Sequence, residues 1–219
     1  MKNAIKFLSA AALGLAAFAA QATTIDTTSV HSSTISPFAD INTATYGQTF
    51  STDNVNTVLN SFSLYLLNGS NTVDFKAYIY KWNGSKANGG ALYTSNIMHF
   101  SGSSLTEFSF NTGGIALNGN QQYVAFLSTT GVAGGEDGSA SMQFGSSYDG
   151  GGMVYYNNGD DFGLLTSHNW DSTTMTGDVL FKALFSAPVA PAGVPEPGSL
   201  ALMGIALAGF AAMRRRKQA

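Results

Sequence analysis

Three stretches of this chain alternate apolar and polar side chains with a period of two: residues 61–66, 73–80 and 179–185. Successive side chains of a pleated strand point to opposite faces, so one set faces a core and the other faces solvent or a second contact. Glycine-rich turn signals separate such stretches, and no helical stripe follows residue 22. The pattern predicts an all-β fold of about eight to ten short strands, an antiparallel, jelly-roll-like β-sandwich.

This sandwich is predicted to occupy residues 23–186, which is enough chain for one domain with its own core. Its turns are expected at pairs of residues that tolerate a positive φ angle, namely Asn68-Gly69, Asn83-Gly84, Asn88-Gly89-Gly90, Asn118-Gly119 and Asn158-Gly159. Its other strands are predicted at 46–51, 91–98, 105–111, 121–130, 140–144 and 153–156.

The N-terminal 22 residues have the composition of a secretory signal peptide. Two lysines precede an apolar run that is short for a membrane span, and the segment ends on Ala20-Gln21-Ala22. Small residues at Ala20 and Ala22 are typical of a signal-peptidase site, which predicts cleavage before Thr23. We therefore expect the protein to be exported.

Charge and cysteine content restrict what the exported body can do. Residues 23–193 carry four lysines and twelve acidic residues, a formal charge of −8 that the whole-chain value of −3 conceals. Such a surface repels phosphate backbones, so we expect no nucleic-acid partner. The chain has no cysteine, which excludes disulfides and thiolate chemistry.

The C-terminal end, VPEPGSLALMGIALAGFAAMRRRKQA, follows a Pro/Ala-rich linker at 187–193. Residues 200–213 form an apolar run whose length as a helix is about 21 Å, against about 30 Å of hydrocarbon, so it is a marginal transmembrane helix. The cations that follow it favour the cytoplasmic side and place the body outside. Both a retained, weak anchor and a transient one that is later cut fit this length, and we expect the hydrophobic helix to associate at least transiently with the inner membrane. The cations are Arg214, Arg215, Arg216 and Lys217.

The order of these parts resembles the PEP-CTERM sorting signal of Gram-negative bacteria, here spanning residues 194–219. The resemblance implies recognition at Val194, Pro195, Glu196 and Pro197 by exosortase, cleavage nearby, and delivery to the cell surface or the medium. Proteins with this tail are linked to exopolysaccharide and biofilm. The segments YGQTF (46–50), YKWNG (80–84), QQYVAFLS (121–128) and VYYNNGDDF (154–162) also resemble a recurring group of sandwich ectodomains found with this tail.

Catalytic motifs are missing from the body. His31, His99 and His168 stand apart in sequence, and the chain has no nucleophile elbow, zinc-protease motif or phosphate loop. We therefore expect no enzymatic activity. A pair of carboxylates from distant strands would still support a secreted, glycosidase-like enzyme, which is the alternative function.

Two glycine-rich loops, residues 134–138 and 157–161, collect the oxygen ligands that calcium prefers. Neither has the spacing of a known calcium loop, so solvated turns are the simpler interpretation, and no other cofactor is expected. The candidate calcium ligands are Glu136, Asp137, Asp160 and Asp161.

Aromatic residues near turns support a more specific hypothesis, namely that the body binds sugars. Sugar rings stack on flat amphipathic side chains, while neighbouring amides and hydroxyls bond their hydroxyl groups, although core packing is the commoner role of such aromatics. We therefore expect a non-enzymatic component of, or binder to, the extracellular polysaccharide. The candidate glycan-binding residues are Trp82, Tyr148, Tyr155, Tyr156 and Trp170.

Overall fold

A computed structural model describes residues 22–39, 43–135, 137–172, 177–189 and 202–207. The chain divides into two units, Met1–Ala187 and Pro188–Ala219. All the strands that the structure describes belong to the first unit, and Thr23 begins the first of them. In the second unit residues 202–207 are helical and exposed. Among the described residues no helix has the length and apolar character needed to span a membrane. Most of the predicted signal peptide and sorting tail lie outside the described residues.

In the described part of the first unit there are thirteen strands and one short helix. They are β1 (Thr23–Asp26), β2 (Thr34–Phe38), β3 (Thr45–Ser51), β4 (Val58–Ser70), β5 (Val73–Trp82), β6 (Ala87–Thr94), β7 (Met98–Phe100), β8 (Thr106–Ala116), β9 (Gln122–Ser128), β10 (Ser139–Gln143), β11 (Met153–Tyr156), α1 (Leu164–Ser167), β12 (Asp171–Ser172) and β13 (Phe181–Ser186).

The strands form two antiparallel sheets, which confirms the predicted sandwich. The first sheet has the order β1-β13-β4-β10-β2, and β8 pairs with the other edge of β4. The second has the order β12-β11-β3-β9-β5-β6, and β7 pairs with the beginning of β5.

The strand order is that of a jelly roll. Eight strands carry the pattern in chain order: β1, β3, β4, β5, β6, β8, β9 and β13. Counted first to eighth, they run 1-8-3-6 across the first sheet and 2-7-4-5 across the second. This arrangement is two interlocked Greek keys, the topology of jelly-roll domains. The remaining short strands extend the sheets at their margins.

Two of the predicted turns lie inside strands. Asn68-Gly69 belongs to the end of β4, and Asn88-Gly89-Gly90 belongs to β6. Asn68 and Gly89 do have the positive φ angles that these residues favour, but neighbouring strands continue the pairing past them, with register shifts in β10 and β5. The turn at Asn83-Gly84 is confirmed, since it connects β5 to β6.

The main core fills the space between the sheets. Alternate residues of β5 enter it, namely Val73, Phe75, Ala77 and Ile79, and all four are fully buried. Rings from both sheets meet there, as where Phe50 of β3 stacks on Phe181 of β13 with centroids 5.7 Å apart. This burial supplies the stability that a chain without disulfides needs.

A polar contact crosses this apolar core. Gln48 of β3 is fully buried, and its Nε2 donates to Oδ1 of the buried Asp178. The backbone N–H of Val179 donates to Gln48 Oε1 at 3.0 Å, and that of Tyr148 donates to Asp178 Oδ2 at 2.7 Å. The network therefore fastens β3 to the segment that leads into β13 in the opposite sheet.

Burial sets the protonation behaviour of Asp178. Desolvation raises its pKa, and the hydrogen bonds from Tyr148 and Gln48 offset only part of that effect. Because the folded-state pKa lies above that of the unfolded chain, this carboxyl stabilises the fold most below the unfolded value, and the contribution is lost as the pH rises through the folded value.

Replacing Gln48 tests this network. Gln48→Leu leaves a buried carboxylate oxygen and the Val179 N–H without partners, so we expect a loss of about 2 to 5 kcal/mol in the free energy of unfolding. The control is Gln121→Leu, because Gln121 is exposed and its side chain bonds only the carbonyl of Asn120 among the described residues. We expect this variant to stay within about 0.5 kcal/mol of the wild type. Urea denaturation measures both, and equal effects would contradict the role of Gln48.

Candidate functional site

The second sheet is also buried on its outer face. Tyr78, Tyr80 and Trp82 project from β5 on the side opposite the main core. The rings of Tyr78 and Tyr80 pack with Phe126 of β9, and Trp82 packs against the same cluster. The segment that contains α1 covers this face and contributes the buried residues Leu165 and Trp170. A third layer of aromatic side chains therefore lies over the jelly roll.

The two tryptophans meet at the edge of this layer. Their ring centroids are 5.4 Å apart at an interplanar angle of 82°, an edge-to-face contact. Trp170 is only 7% exposed, and its Nε1 donates to the carbonyl oxygen of Leu165 at 2.8 Å. Trp82 is half-buried. Trp170 thus packs against Trp82, whose ring is the more accessible of the two.

An open cavity of about 370 Å³ lies beside this pair. Its size is at the lower end of ordinary ligand pockets, which span about 300 to 1,000 Å³. Hydroxyl and amide side chains surround the two indole rings, and none of the lining side chains is ionisable. The lining residues are Thr49, Trp82, Gly84, Ser85, Gln122, Gly152, Met153, Val154, Asn169 and Trp170.

Hydrogen bonds hold one wall of the cavity, where the β5–β6 turn meets the segment after α1. The backbone N–H of Trp170 donates to the Ser85 carbonyl at 2.8 Å, and Ser85 Oγ donates to Asn169 Oδ1 at 3.0 Å. Lys86 Nζ donates to the Ser167 carbonyl at 3.0 Å. Gly84 allows the tight turn through its φ of +97°.

The opposite wall is formed by Thr49 of β3 and the loop before β11. The Thr49 N–H donates to the Gly152 carbonyl at 2.8 Å, and the Gly152 N–H donates to Thr49 Oγ1 at 2.9 Å. Gly151 packs so closely that a Cβ on it would lie 1.8 Å from the Thr49 carbonyl oxygen. Both walls are therefore fixed before any ligand arrives.

The other candidate aromatics do not join this cavity. Tyr155 and Tyr156 are consecutive on β11 and face opposite sides of the sheet. Tyr155 packs edge-on against Tyr46 of the main core, and Tyr156 contacts the outer aromatic layer. Tyr148 lines a separate cavity, where its hydroxyl contacts the backbone of Ser51. Of the five predicted glycan-binding residues, the structure brings together Trp82 and Trp170.

The candidate calcium loops differ in how they are built. In the second loop Asn158 is buried and accepts a hydrogen bond from Thr45 Oγ1, while its Nδ2 donates to Thr130 Oγ1. Asp160 and Asp161 are exposed. In the first loop Asp137 is exposed, and Glu136 lies outside the described residues. Within the described part of the chain no group of three or more histidine or acidic side chains could hold a metal ion.

A carboxylate pair lines the second cavity, which also measures about 370 Å³. Asp26 and Asp53 both border it, beside Tyr148 and Phe185. Burial acts to raise the pKa of Asp26, but hydrogen bonds from the Thr28 hydroxyl and N–H lower it overall. The N–H groups of Asn56 and Val55 lower the pKa of Asp53. A glycosidase needs one carboxyl with a raised pKa as its acid, and neither group has that property.

The three histidines are exposed and stand apart in the fold. His99 of β7 lies opposite Asp74 of β5, and its Nδ1 is 2.6 Å from an Asp74 carboxylate oxygen. His168 contacts only its neighbour Ser167 through a side chain, among the described residues. His31 lies on the loop before β2. None of them borders either cavity.

Sequence reasoning missed the polar side of the tryptophan cavity. Gln122 begins β9 and Asn169 precedes Trp170, so they lie far apart along the chain. Asn169 directly precedes the candidate glycan-binding residue Trp170, and this adjacency is the signal that the sequence offers for it. Nothing in the local sequence of Gln122 distinguishes it from its exposed neighbour Gln121.

Comparison with known families identifies the tail. Residues 193–217 match the model of the PEP-CTERM protein-sorting motif, which confirms the resemblance seen in the sequence. The chain therefore carries the signal of an exported protein that exosortase sorts through its C-terminal segment. No curated protein matches the chain in sequence.

Two solved structures are similar to the body. One contains the cysteine protease and lectin-like domains of Cwp84, a surface layer associated protein of Clostridium difficile, with a TM-score of 0.45 and 10% identity; the match covers 67% of this chain and 33% of that one. The other is clostridial Cwp84 after propeptide cleavage, with a TM-score of 0.49 and 9% identity over 76% and 40% of the two chains. This chain thus spans less than half of either structure.

Two adjacent glycines test how rigid the cavity wall is. Gly151→Ala places a methyl group against the Thr49 carbonyl, so the loop must move, and we expect a loss of about 1 to 3 kcal/mol in unfolding free energy. Gly152→Ala is the matched control, because nothing lies within 4 Å of its Cβ position. Thermal unfolding followed by circular dichroism should separate the two variants, and equal midpoints would show that the loop is not held against β3.

Proposed function

We propose that this protein is a non-enzymatic component of the cell surface or extracellular matrix that binds extracellular polysaccharide. The cavity beside Trp82 and Trp170 is the observation that carries the proposal. It offers an aromatic surface together with amide and hydroxyl groups, the combination by which proteins hold sugar rings. The sorting motif supports the location, because it directs an exported protein to exosortase.

The absence of enzymatic activity is part of the proposal. The tryptophan cavity has no ionisable lining residue, so it offers no general acid, base or carboxylate nucleophile. In the other cavity the hydrogen bonds to Asp26 and Asp53 favour the ionised form of both groups. Binding without turnover is the chemistry that these side chains support.

Polysaccharide binding is tested on Trp82. In affinity electrophoresis through gels containing the polysaccharide of the producing strain, we expect wild-type protein to be retarded. Trp82→Ala should weaken binding about tenfold or more, because it removes the accessible ring. Trp82→Phe keeps an aromatic ring and should lose less.

The matched control for Trp82→Ala is Tyr148→Phe, which alters the other cavity and keeps a ring. It should bind as the wild type does. Circular dichroism checks that each variant is folded. Unchanged retardation of a folded Trp82→Ala protein would contradict the proposed site, and release of reducing sugar from the polysaccharide would contradict the non-enzymatic role.

Sorting is tested at the C-terminus. Mass spectrometry of the mature protein should show loss of the residues beyond the Pro-Glu-Pro motif, and Glu196→Ala should leave them attached in the inner membrane. Glu107→Ala, an exposed site on β8, is the control and should be processed normally. An intact arginine-rich terminus on the wild-type protein would mean that the tail is a permanent anchor.

A further inference from the structure

We propose that the tryptophan cavity binds an uncharged sugar residue, so that the ligand is a neutral rather than an acidic polysaccharide. This inference rests on the proposed function, because it assigns a ligand class to the same cavity. Three features of the body carry it: the groups that line the cavity, the hydrogen-bonding groups left available there, and the distribution of charge.

The lining of the cavity contains no cation that would bind a uronic acid or a sulfated sugar. Proteins recognise carboxylate and sulfate groups mainly with the paired N–H groups of arginine or with lysine. None of the ten lining residues is charged. The body contains no arginine, since all three arginines of the chain stand at 214–216. Desolvating an anionic ring in this cavity would therefore go without compensation.

Lys86, the lysine of the cavity wall, is already engaged. Its Nζ donates to the Ser167 carbonyl, which fastens the β5–β6 turn to the end of α1. Moving this ammonium group toward an anionic ligand would break that contact and loosen the wall. The exposed Asp171 pairs in β12 with Tyr155, the neighbour of the lining residue Val154, and so adds a negative charge near the cavity.

The groups that do face the cavity suit hydroxyls. Among the described residues, the side-chain amide of Gln122 and Nδ2 of Asn169 have no hydrogen-bond partner, while Asn169 Oδ1 is held by Ser85. Each amide can donate to a sugar oxygen, and that of Gln122 can also accept from a hydroxyl. The half-exposed ring of Trp82 supplies a surface for the C–H face of a hexopyranose. The stacking surface of Trp82 and the free amide groups are therefore the contacts that an uncharged sugar ring uses.

The net charge of the whole body also favours a neutral polysaccharide over an acidic one. A formal charge of −8 over residues 23–193 repels a polyanion before it reaches the cavity, and salt screens that repulsion. Binding of a neutral polysaccharide should therefore change little with ionic strength. Any residual association with an acidic polysaccharide should strengthen as salt is added.

The test separates the polysaccharide of the producing strain into neutral and acidic fractions by anion exchange. Each fraction is cast into native gels at low and high salt, and retardation of full-length purified protein is measured with wild-type chain, Trp82→Ala and Gln122→Ala. We expect the neutral fraction to retard the wild type at least about tenfold more strongly than the acidic fraction does. Both variants should reduce the effect of the neutral fraction, with little dependence on salt.

Three outcomes would overturn the inference, and they differ in what they imply for the proposed function. Retardation by the acidic fraction that disappears in Trp82→Ala would show that the cavity takes anionic sugars, and polysaccharide binding would stand. Retardation by neither fraction would remove both proposals. Retardation by the neutral fraction that survives in both variants would place neutral-sugar binding elsewhere on the body.

Discussion

Burial of both faces of the second sheet is the constraint on which the rest of the structure depends. One face of β5 and β9 closes the main core, and the other carries a layer of tyrosine, phenylalanine and tryptophan under the α1 segment. Large rings on the outer face require a cover, and the cover brings Trp170 to Trp82. The cavity between the β5–β6 turn and the loop before β11 therefore follows from packing.

The period-two pattern predicted the sandwich because strand periodicity depends on local sequence alone. It also indicated that the second set of β5 residues would face solvent or another contact, and the aromatic layer is that contact. The pattern did not predict β1, β2, β12 or α1, all of which are short. β1 and β2 owe their order to partners far along the chain. The turns predicted at Asn68 and Gly89 were wrong for a related reason. Neighbouring strands impose pairing on residues whose local preference is a turn.

The candidate site was harder to predict from the sequence than the fold was. Trp82 and Trp170 could be chosen by residue type, but their contact depends on where the α1 segment folds back. The buried pair of Gln48 and Asp178 had no local signal either, because a glutamine in a strand is ordinarily exposed. The tail is the opposite case. Its motif is defined by a short linear sequence and does not depend on contacts made by the fold, so sequence alone was enough to identify it.

The first and last strands of the body are neighbours, with Thr23 opposite Phe185 in the β1–β13 ladder. β1 therefore cannot pair with β13 until almost the whole body has been synthesised and carried across the membrane. Formation of this ladder closes the longest loop in the domain. The same proximity means that a few residues joining Ser186 to Thr23 would close the body into a ring. New ends could then be opened at a surface turn, giving a circular permutant with the same strand order.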